Sequence, residues 1–330
     1  MTQTSFSIII TCFNQSAFIR ETVQSALSQT YAAKQVIVID DGSTDASVSL
    51  LKQYGDVITL MSRPENGGAS AARNLGASIA DGDYLVFLDG DDVLVPWALE
   101  LYGRLVAVKE PTLILGSLLH FQGPTVLRSS FYFRDKPVEN HEAVPRKIAI
   151  VEYDCLMNKD RSYRACVSAF VVERHAFEKI NGWTEEIFPM EDTEFLLKLG
   201  YSGRVIQIDS PPTICYRVHA GSTMRQMVRW VPMGCRLIER AKSRVYTVNG
   251  QSLLDAYAFL GGPIFFQLKR ALKARLYAGA FELFFRGFPL IVVAALRRLR
   301  VVIMGRRPIE VLPGLCRARE GAEIIGESAP

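Results

Sequence analysis

The 330-residue chain lacks any long uncharged apolar run; the longest, Gly287 to Leu296, has ten residues and contains Pro289, short of the roughly 20 that a spanning helix needs. Met1 to Phe6 is polar, without the basic flank and apolar core of a secretory signal. Six cysteines, Cys12, Cys155, Cys166, Cys215, Cys235 and Cys316, show neither close pairing nor metal-like spacing. That argues against a disulfide scaffold and a zinc module and predicts reduced thiols in a cytosolic protein. There is no internal repeat and no low-complexity tract, and 49% hydrophobic with 22% charged residues suits one large or two medium globular domains.

Acidic residues are scarce over one long stretch of the C-terminal third. Between Ala256 and Ile309 ten Lys or Arg face one acid, Glu282, although the net charge of the whole chain is only +4. Lys269, Arg270 and Lys273 fall within one helical arc and Arg297, Arg298 and Arg300 within another, interleaved with Phe265, Phe266, Phe281, Phe284 and Phe285. This pattern predicts helices lying in the headgroup region of an anionic leaflet. The alternative is a helical subdomain packed on the core with a solvated basic face. No nucleic-acid motif accompanies the charge, so nucleic acid is not expected as a partner.

What is present centres on Tyr84 to Val93, where an apolar strand runs straight into carboxylates. Tyr84 to Leu88 has the pattern of a strand buried on both faces. Asp89 and Asp91 follow two residues apart and, in extended chain, point the same way. Carboxylates held that close repel one another unless a hard divalent cation such as Mn or Mg lies between them. The plainer reading is an acidic turn around Gly90.

Upstream, Phe6 to Cys12, Val36 to Ile39 and Val57 to Met61 read as strands, with helices after Ser16, after Ser43 or Thr44, and over Ala69 to Ala80. Alternating elements predict a mostly parallel sheet with right-handed crossovers, in which ligands bind outside the carboxyl ends of the strands. Asn14, Asp41 and Asp89 to Asp92 fall at those ends. A helix from Pro96 to about Val108, antiparallel strands over Leu113 to Phe121 and Thr125 to Phe133, and a polar connection from Asp135 to Arg146 follow. Tyr163 to Glu173 reads as a strand entering a helix over His175 to Ile180. Glu191-Asp192 then opens an amphipathic helix over Thr193 to Leu199, and Val205 to Ile208 and Thr213 to Val218 read as strands. From Arg225 onward the chain reads as mostly helical.

Five ordered blocks carry a resemblance over about Ser5 to Met224. They are Thr11-Cys12-Phe13-Asn14 with Val38-Ile39-Asp40-Asp41-Gly42-Ser43-Thr44-Asp45; Asn66-Gly67-Gly68 with Ala72-Arg73-Asn74; Phe87-Leu88-Asp89-Gly90-Asp91-Asp92; Met190-Glu191-Asp192; and Tyr216-Arg217-Val218-His219-Ala220-Gly221-Ser222. Together they resemble glycosyltransferase family 2, nucleotide-sugar transferases of the GT-A fold. Gly90 stands where Ser or Ala is common in that family, and the Pro that many members carry between Ile10 and Asn14 is missing.

The resemblance implies an α/β fold, a GT-A (Rossmann-like) catalytic domain over residues 1–224, with a basic helical extension over 225–330. It implies an inverting, metal-dependent transfer of sugar from a nucleoside diphosphate donor, UDP being expected, to a hydroxyl of a glycan or lipid-linked saccharide in cell-surface polysaccharide synthesis. The setting expected is the cytosolic face of a membrane. Thr11, Phe13, Asn14, Asp41, Asn66, Arg73, Asp89, Gly90 and Arg217 are the nucleotide-binding candidates. Asp91 is the first metal ligand, with Asp89 sharing the ion or lying nearer the ribose, and His219 offers a ring nitrogen.

Asp41 is placed to accept the imide N–H of a uracil-type base, the alternative being a helix cap. Arg73 could neutralise Asp41, approach the diphosphate, or form a plain salt bridge. Asp192, ahead of Glu191, is the candidate general base, since a positioned carboxylate can take the attacking hydroxyl's proton; the plainer role for both is a helix-capping pair. Trp183 is a candidate floor for an acceptor sugar, whereas Trp97, Trp230, His120, His141 and His175 are expected to be structural or, for the tryptophans, membrane-facing. Two rivals remain. A nucleotidyltransferase would want a Gly-rich Lys- or Arg-bearing loop after the first strand, which Thr11 to Ser16 lacks. A non-catalytic sugar-nucleotide or glycan-binding subunit would have little use for Asp89, Asp91, Asp192 and His219 together.

Overall fold

The computed structural model of the chain describes residues 3–123, 125–129, 147–154, 166–200, 202–219, 221, 227–246, 251–304 and 310–313. Its N-terminal part alternates strand and helix: β1 (Phe6–Cys12), α1 (Ile19–Leu27), β2 (Gln35–Asp40), α2 (Ser47–Leu51), β3 (Thr59–Ser62), α3 (Ala69–Ser78) and β4 (Tyr84–Asp89). β1 pairs in parallel with β2 and with β4, and β2 with β3. Strands this apolar form because both faces are covered. Ile8 and Ile10 enter one core cluster with α1 and with α4 (Ala98–Lys109), while Ile9 enters a second with Ala72 of α3, the two-residue alternation of a pleated strand.

The sheet continues on the other side of β4 with β10 (Phe170–Glu173), β6 (Leu113–Leu115), β11 (Val205–Ser210), β9 (Lys147–Tyr153) and β13 (Glu310–Pro313), giving nine strands in the order β13-β9-β11-β6-β10-β4-β1-β2-β3. This half is mixed: β6 and β11 are parallel, and β10, β9 and β13 are antiparallel to their neighbours. A small second sheet orders β5 (Val93–Leu94), β12 (Ile214–Arg217), β7 (Leu118–Gln122) and β8 (Thr125–Ser129) as β5-β12-β7-β8.

Several expected elements differ. The strand over Leu113 to Phe121 is two strands in two sheets, broken at Gly116-Ser117. A Cβ on Gly116 would lie 2.4 Å from Thr213 Oγ1, and the Ser117 carbonyl accepts from the amides of Thr213 and Ile214, so the chain changes sheet there. Ser16, Ser43 and Thr44 do not cap helices: neither α1 nor α2 has a side-chain cap. The helix expected to run to Tyr54 is the single turn and a half of α2 followed by a 3-10 segment, Lys52–Val57, in which Gly55 turns to φ 54°. β9 and β13 were not read from the sequence. Thr125 to Phe133 is described only to Ser129; the Asp135 to Arg146 connection, His141, Cys155 and Cys316 lie outside the described residues.

Among the described residues after Arg225, three helices, α7 (Met227–Lys242), α8 (Leu253–Lys273) and α9 (Tyr277–Met304), precede β13. Ser252 and Asp255 close a reciprocal capping box at the start of α8. A Cβ on Gly261 of α8 would lie 2.1 Å from the Leu290 carbonyl of α9, so the two helices cross at backbone contact. α9 is 28 residues long and runs through Pro289. At 1.5 Å per residue that is about 42 Å, so by length and composition it could cross a bilayer. Counting uncharged residues missed this because Glu282 and Arg286 pair one turn apart on α9 at 3.0 Å.

Candidate functional site

The carboxyl ends of β1, β2 and β4 share one rim, because the registers set Cys12 beside Asp40 and Thr11 beside Asp89. Thr11 Oγ1 lies 3.3 Å from Asp89 Oδ1. Next to it, a Cβ on Gly90 would sit 2.6 Å from the Thr11 carbonyl oxygen. In this chain the departure to glycine is therefore matched by a backbone approach that leaves no room for a side chain.

Asp91 faces the loop after β12, where its Oδ2 lies 2.7 Å from His219 Nε2. Burial first, then the neighbouring Asp89 charge, raise the Asp91 carboxyl above its ordinary range, and the His219 contact opposes them. The His219 ring packs 4.9 Å from Phe18. Asp92, only 1% exposed, is a different kind of residue. It accepts from Ser168 Oγ at 2.6 Å and from the Arg217 amide at 2.9 Å, pinning β12 to the end of β4 from inside the protein.

Arg217 was expected on the diphosphate. Its guanidinium reaches Glu21 at 2.6 Å and the Asp91 carbonyl at 2.8 Å, between the rings of Phe18 and Phe121.

Asp41, 3% exposed, accepts from Arg63 Nη1 at 2.5 Å and from the amides of Gly67 and Gly68 at 3.0 and 2.8 Å. Arg63 is thus the cation that neutralises it, not Arg73. Sequence reasoning passed over Arg63, whose signal was its place one residue beyond the carboxyl end of β3. Gly68 stands at φ 92°, a conformation that lets two successive amides converge on one carboxylate. Asn14, at φ 53°, uses Oδ1 to accept from the amides of Thr44 and Asp45 at 2.8 and 3.3 Å. It holds the loop after β2 against the end of β1. Phe13 and Asn66 are exposed on the same rim.

Arg73 of α3 joins the rim to the opposite wall. Its Nη2 donates to Asp89 Oδ1 at 2.7 Å and its Nη1 to Glu191 Oε1 at 3.4 Å. Burial works against the guanidinium charge, yet the two carboxylates outweigh it and keep Arg73 protonated above its usual range. Glu191 opens α6 (Glu191–Leu199) directly after Met190, which is left-handed at φ 84°. Burial pushes the Glu191 carboxyl up to about 7, against the pull of Arg73. Asp192 is likewise raised by burial, opposed by the Thr193 amide and hydroxyl at 2.5 and 3.2 Å.

Trp183, expected as the floor of an acceptor site, is enclosed rather than presented on the surface. It is 2% exposed, stacked on Phe195 at 4.2 Å and edge-on to Phe87 at 5.3 Å. With Arg73 5.0 Å from its ring, it forms the apolar underside of the ion-pair bridge.

Among the described residues no group of three or more His, Cys, Asp and Glu is clustered as a complete metal site. The donors present are one carboxylate oxygen and one imidazole nitrogen, Asp91 and His219, with Asp89 held nearby by Arg73. Such a pair suits an ion whose remaining positions are filled by a bound diphosphate and water.

A model of the family described as glycosyl transferase family 2 matches residues 7–164. Just under half of the chain thus matches glycosyltransferase family 2, and relatives named as glycosyltransferases extend the likeness to about two thirds of it. An uncharacterized glycosyltransferase of Haemophilus influenzae is 28% identical over 211 residues, covering 63% of this chain and 67% of the relative. Glycosyltransferase GlyG of Streptococcus pneumoniae is 26% identical over 229 residues, 66% of this chain and 72% of the relative. A crystal structure of TarS from S. aureus in complex with UDP-GlcNAc superposes with a TM-score of 0.58 at 18% identity, over 78% of this chain and 71% of that one. The protein is therefore a glycosyltransferase with the GT-A fold. The family match ends before Glu191 and Asp192, which the structure brings to the rim through Arg73.

Proposed function

We propose that this family 2 glycosyltransferase transfers a sugar from a UDP-linked donor to a hydroxyl of a saccharide or lipid-linked saccharide, with inversion and with a divalent cation, Mn or Mg. The observation that carries the reading is the Arg73 bridge between Asp89, on the β4 rim, and Glu191, at the head of α6. It sets an acidic pair across from the aspartate rim, so a donor and an attacking hydroxyl can be held on opposite sides of one anomeric carbon. UDP is favoured because the TarS crystal structures hold UDP and UDP-GlcNAc.

Asp91 and His219 would hold the cation, with Asp89 beside it. When bound, the ion supplies positive charge against the leaving diphosphate, a contribution of several kcal/mol. Asp192 accepts the proton of the attacking hydroxyl. Burial raises its basicity at the same time as α6 orients it. Glu191, tied to Arg73, brings a second carboxyl group to the same wall, and its negative charge, complete only above about pH 7, would favour the positive charge that develops on the sugar ring.

The acceptor side is proposed to lie at the cytosolic face of an anionic membrane. The exposed large apolar side chains of the C-terminal helices include Phe265, Phe266, Phe281, Phe285, Phe288 and Leu296, with Lys269, Lys273, Arg297 and Arg298 among them in sequence. Tyr277, Phe281, Phe285, Phe288, Val292, Leu296 and Leu299 are exposed at helical spacing along α9. Glu282 and Arg286 pair on that helix, and Arg286 also reaches Glu239 of α7 at 3.2 Å. A helix so tied to its bundle suits the headgroup layer rather than the hydrocarbon interior. A relative of Borreliella burgdorferi named a cholesterol galactosyltransferase, 33% identical over 141 residues that cover 42% of this chain and 39% of the relative, fits a membrane-borne acceptor.

Turnover of a panel of UDP-sugars with and without Mn tests the chemistry. Metal-dependent sugar release that falls with Asp192→Asn supports it; equal turnover in parent and variant removes the base assignment, and UDP binding without turnover in the parent favours a non-catalytic sugar-nucleotide-binding subunit. Flotation of the full chain with phosphatidylglycerol vesicles tests the surface. Binding lost in Phe281→Glu/Phe285→Glu supports it, and unchanged binding removes it.

A further inference from the structure

The first turn of α6 is built as much by the C-terminal helices as by the family domain. Met190, the residue before Glu191, is 2% exposed and lies in a core cluster with Ile187 and Leu197 and with Trp230, Leu237 and Ile238 of α7, Leu260 and Ile264 of α8 and Leu283 of α9. Two residues after Asp192, Glu194 is 1% exposed. Its Oε1 accepts from Arg240 Nη2 of α7 at 3.2 Å and from Thr184 Oγ1 at 3.0 Å, and its Oε2 has no hydrogen-bond partner among the described residues. Lys198 donates to the Gly182 carbonyl at 2.6 Å and to Thr184 Oγ1 at 3.3 Å, closing the loop that leads into Met190 onto the same helix. Arg240 also donates to Tyr246 Oη at 3.0 Å.

We propose that Arg240 is a positioning residue for glycosyl transfer: through Glu194 it fixes the turn of α6 that carries Asp192, so the C-terminal helices set the geometry of proton removal from the acceptor. Glu194 lies near two cations, Lys198 of α6 itself and Arg240 of α7, and of these Arg240 is the one that ion-pairs with its carboxylate directly and ties it to another helix. The rim that would hold the nucleotide is built by β1, β2, β4 and α3 and makes no use of Arg240. The effect is therefore expected on the step that uses the acceptor and not on donor affinity. Displacing a reacting group by about 1 Å can cost on the order of 100-fold in rate.

This inference rests on the assignment of Asp192 as base, and the experiment separates the two. In the full-length protein, Arg240→Gln, Arg240→Lys, the double variant Glu194→Gln/Arg240→Gln and Asp192→Asn are compared for kcat, donor KM and UDP affinity by calorimetry, with kcat normalised to UDP-binding sites. The expected result is a fall in kcat of at least about tenfold in Arg240→Gln, with donor KM and UDP affinity within about twofold of the parent, and substantial recovery in Arg240→Lys. The double variant removes the Glu194–Arg240 pair from both sides while Lys198 keeps its Gly182 carbonyl and Thr184 hydroxyl partners, and so remains informative if Arg240→Gln fails to fold; the same fall in kcat is expected of it. Unchanged kcat in the folded variants, or parallel losses of kcat and UDP affinity, overturns the positioning role. Full activity of Asp192→Asn overturns the base assignment instead.

Discussion

The Arg73 guanidinium donates to Asp89 over 2.7 Å with only 3% of the arginine side chain exposed. A charge buried that deeply between partners is costly to orphan, because Asp89 and Glu191 would both lose their counter-ion. Replacement by Met is expected to destabilise the fold by about 3–5 kcal/mol, the range for breaking a buried pair from one side. Urea denaturation of parent and Arg73→Met measures it, and a change near zero would mean the bridge is not maintained in solution.

Glu191 gives a pH signature. Its carboxyl moves from an ordinary value of 4.5 to about 7 on folding, so between those values the native state binds more proton than the unfolded one. Stability then falls as pH rises through that window. Glu191→Gln should remove this part of the slope, making the variant relatively more stable at pH 8 than at pH 4.5. Denaturation midpoints at the two pH values, parent against variant, provide the check; identical slopes would contradict it.

If Asp91 and His219 hold the cation, Asp91→Asn and His219→Ala should each raise the Mn concentration for half-maximal turnover by at least about tenfold, a loss that even the outer partners of metal ligands bring. Chelation should abolish turnover in the parent and added Mn restore it. Full turnover in chelator would show that this reaction proceeds without the ion.

Gly90→Ser restores the residue common in the family, yet its Cβ would meet the Thr11 carbonyl at 2.6 Å. Overpacking against backbone is expected to cost about 1–3 kcal/mol. Thermal unfolding of the variant measures this, and an unshifted midpoint would show that β1 and the β4 rim separate freely.

Trp183→Ala should act on stability rather than on acceptor recognition, because the ring is enclosed by Phe87, Phe170 and Phe195. A loss of about 3–5 kcal/mol is expected for emptying such a site. A stable variant with a raised acceptor KM would return Trp183 to the acceptor site.

The local grammar of the chain set most of this architecture. Apolar runs such as Phe6–Cys12 and Tyr84–Asp89 are strands wherever both faces are covered, and each ends in the Asn, Asp and Gly residues that the rim uses. Those decisions depend on neighbours a few residues away, and the sequence displays them directly. Which cation meets which carboxylate was not legible in this way. Arg63 takes Asp41 and Arg73 takes Asp89 and Glu191, choices fixed by how loops and helices stack after the sheet has formed. Likewise Trp183 followed a glycine as an exposed ring might, and only packing against Phe195 put it inside.

The amino-acid order by itself determined the parallel strands, the carboxylate-rich rim and the basic, aromatic character of the last three helices, because these follow from residue type and spacing. Tertiary structure alone decided that Glu191 lies 3.4 Å from Arg73 across 118 residues of chain, and that Arg240 reaches Glu194 from a helix outside the matched family domain. Pairings at such separation depend on how whole elements pack, which no local pattern encodes.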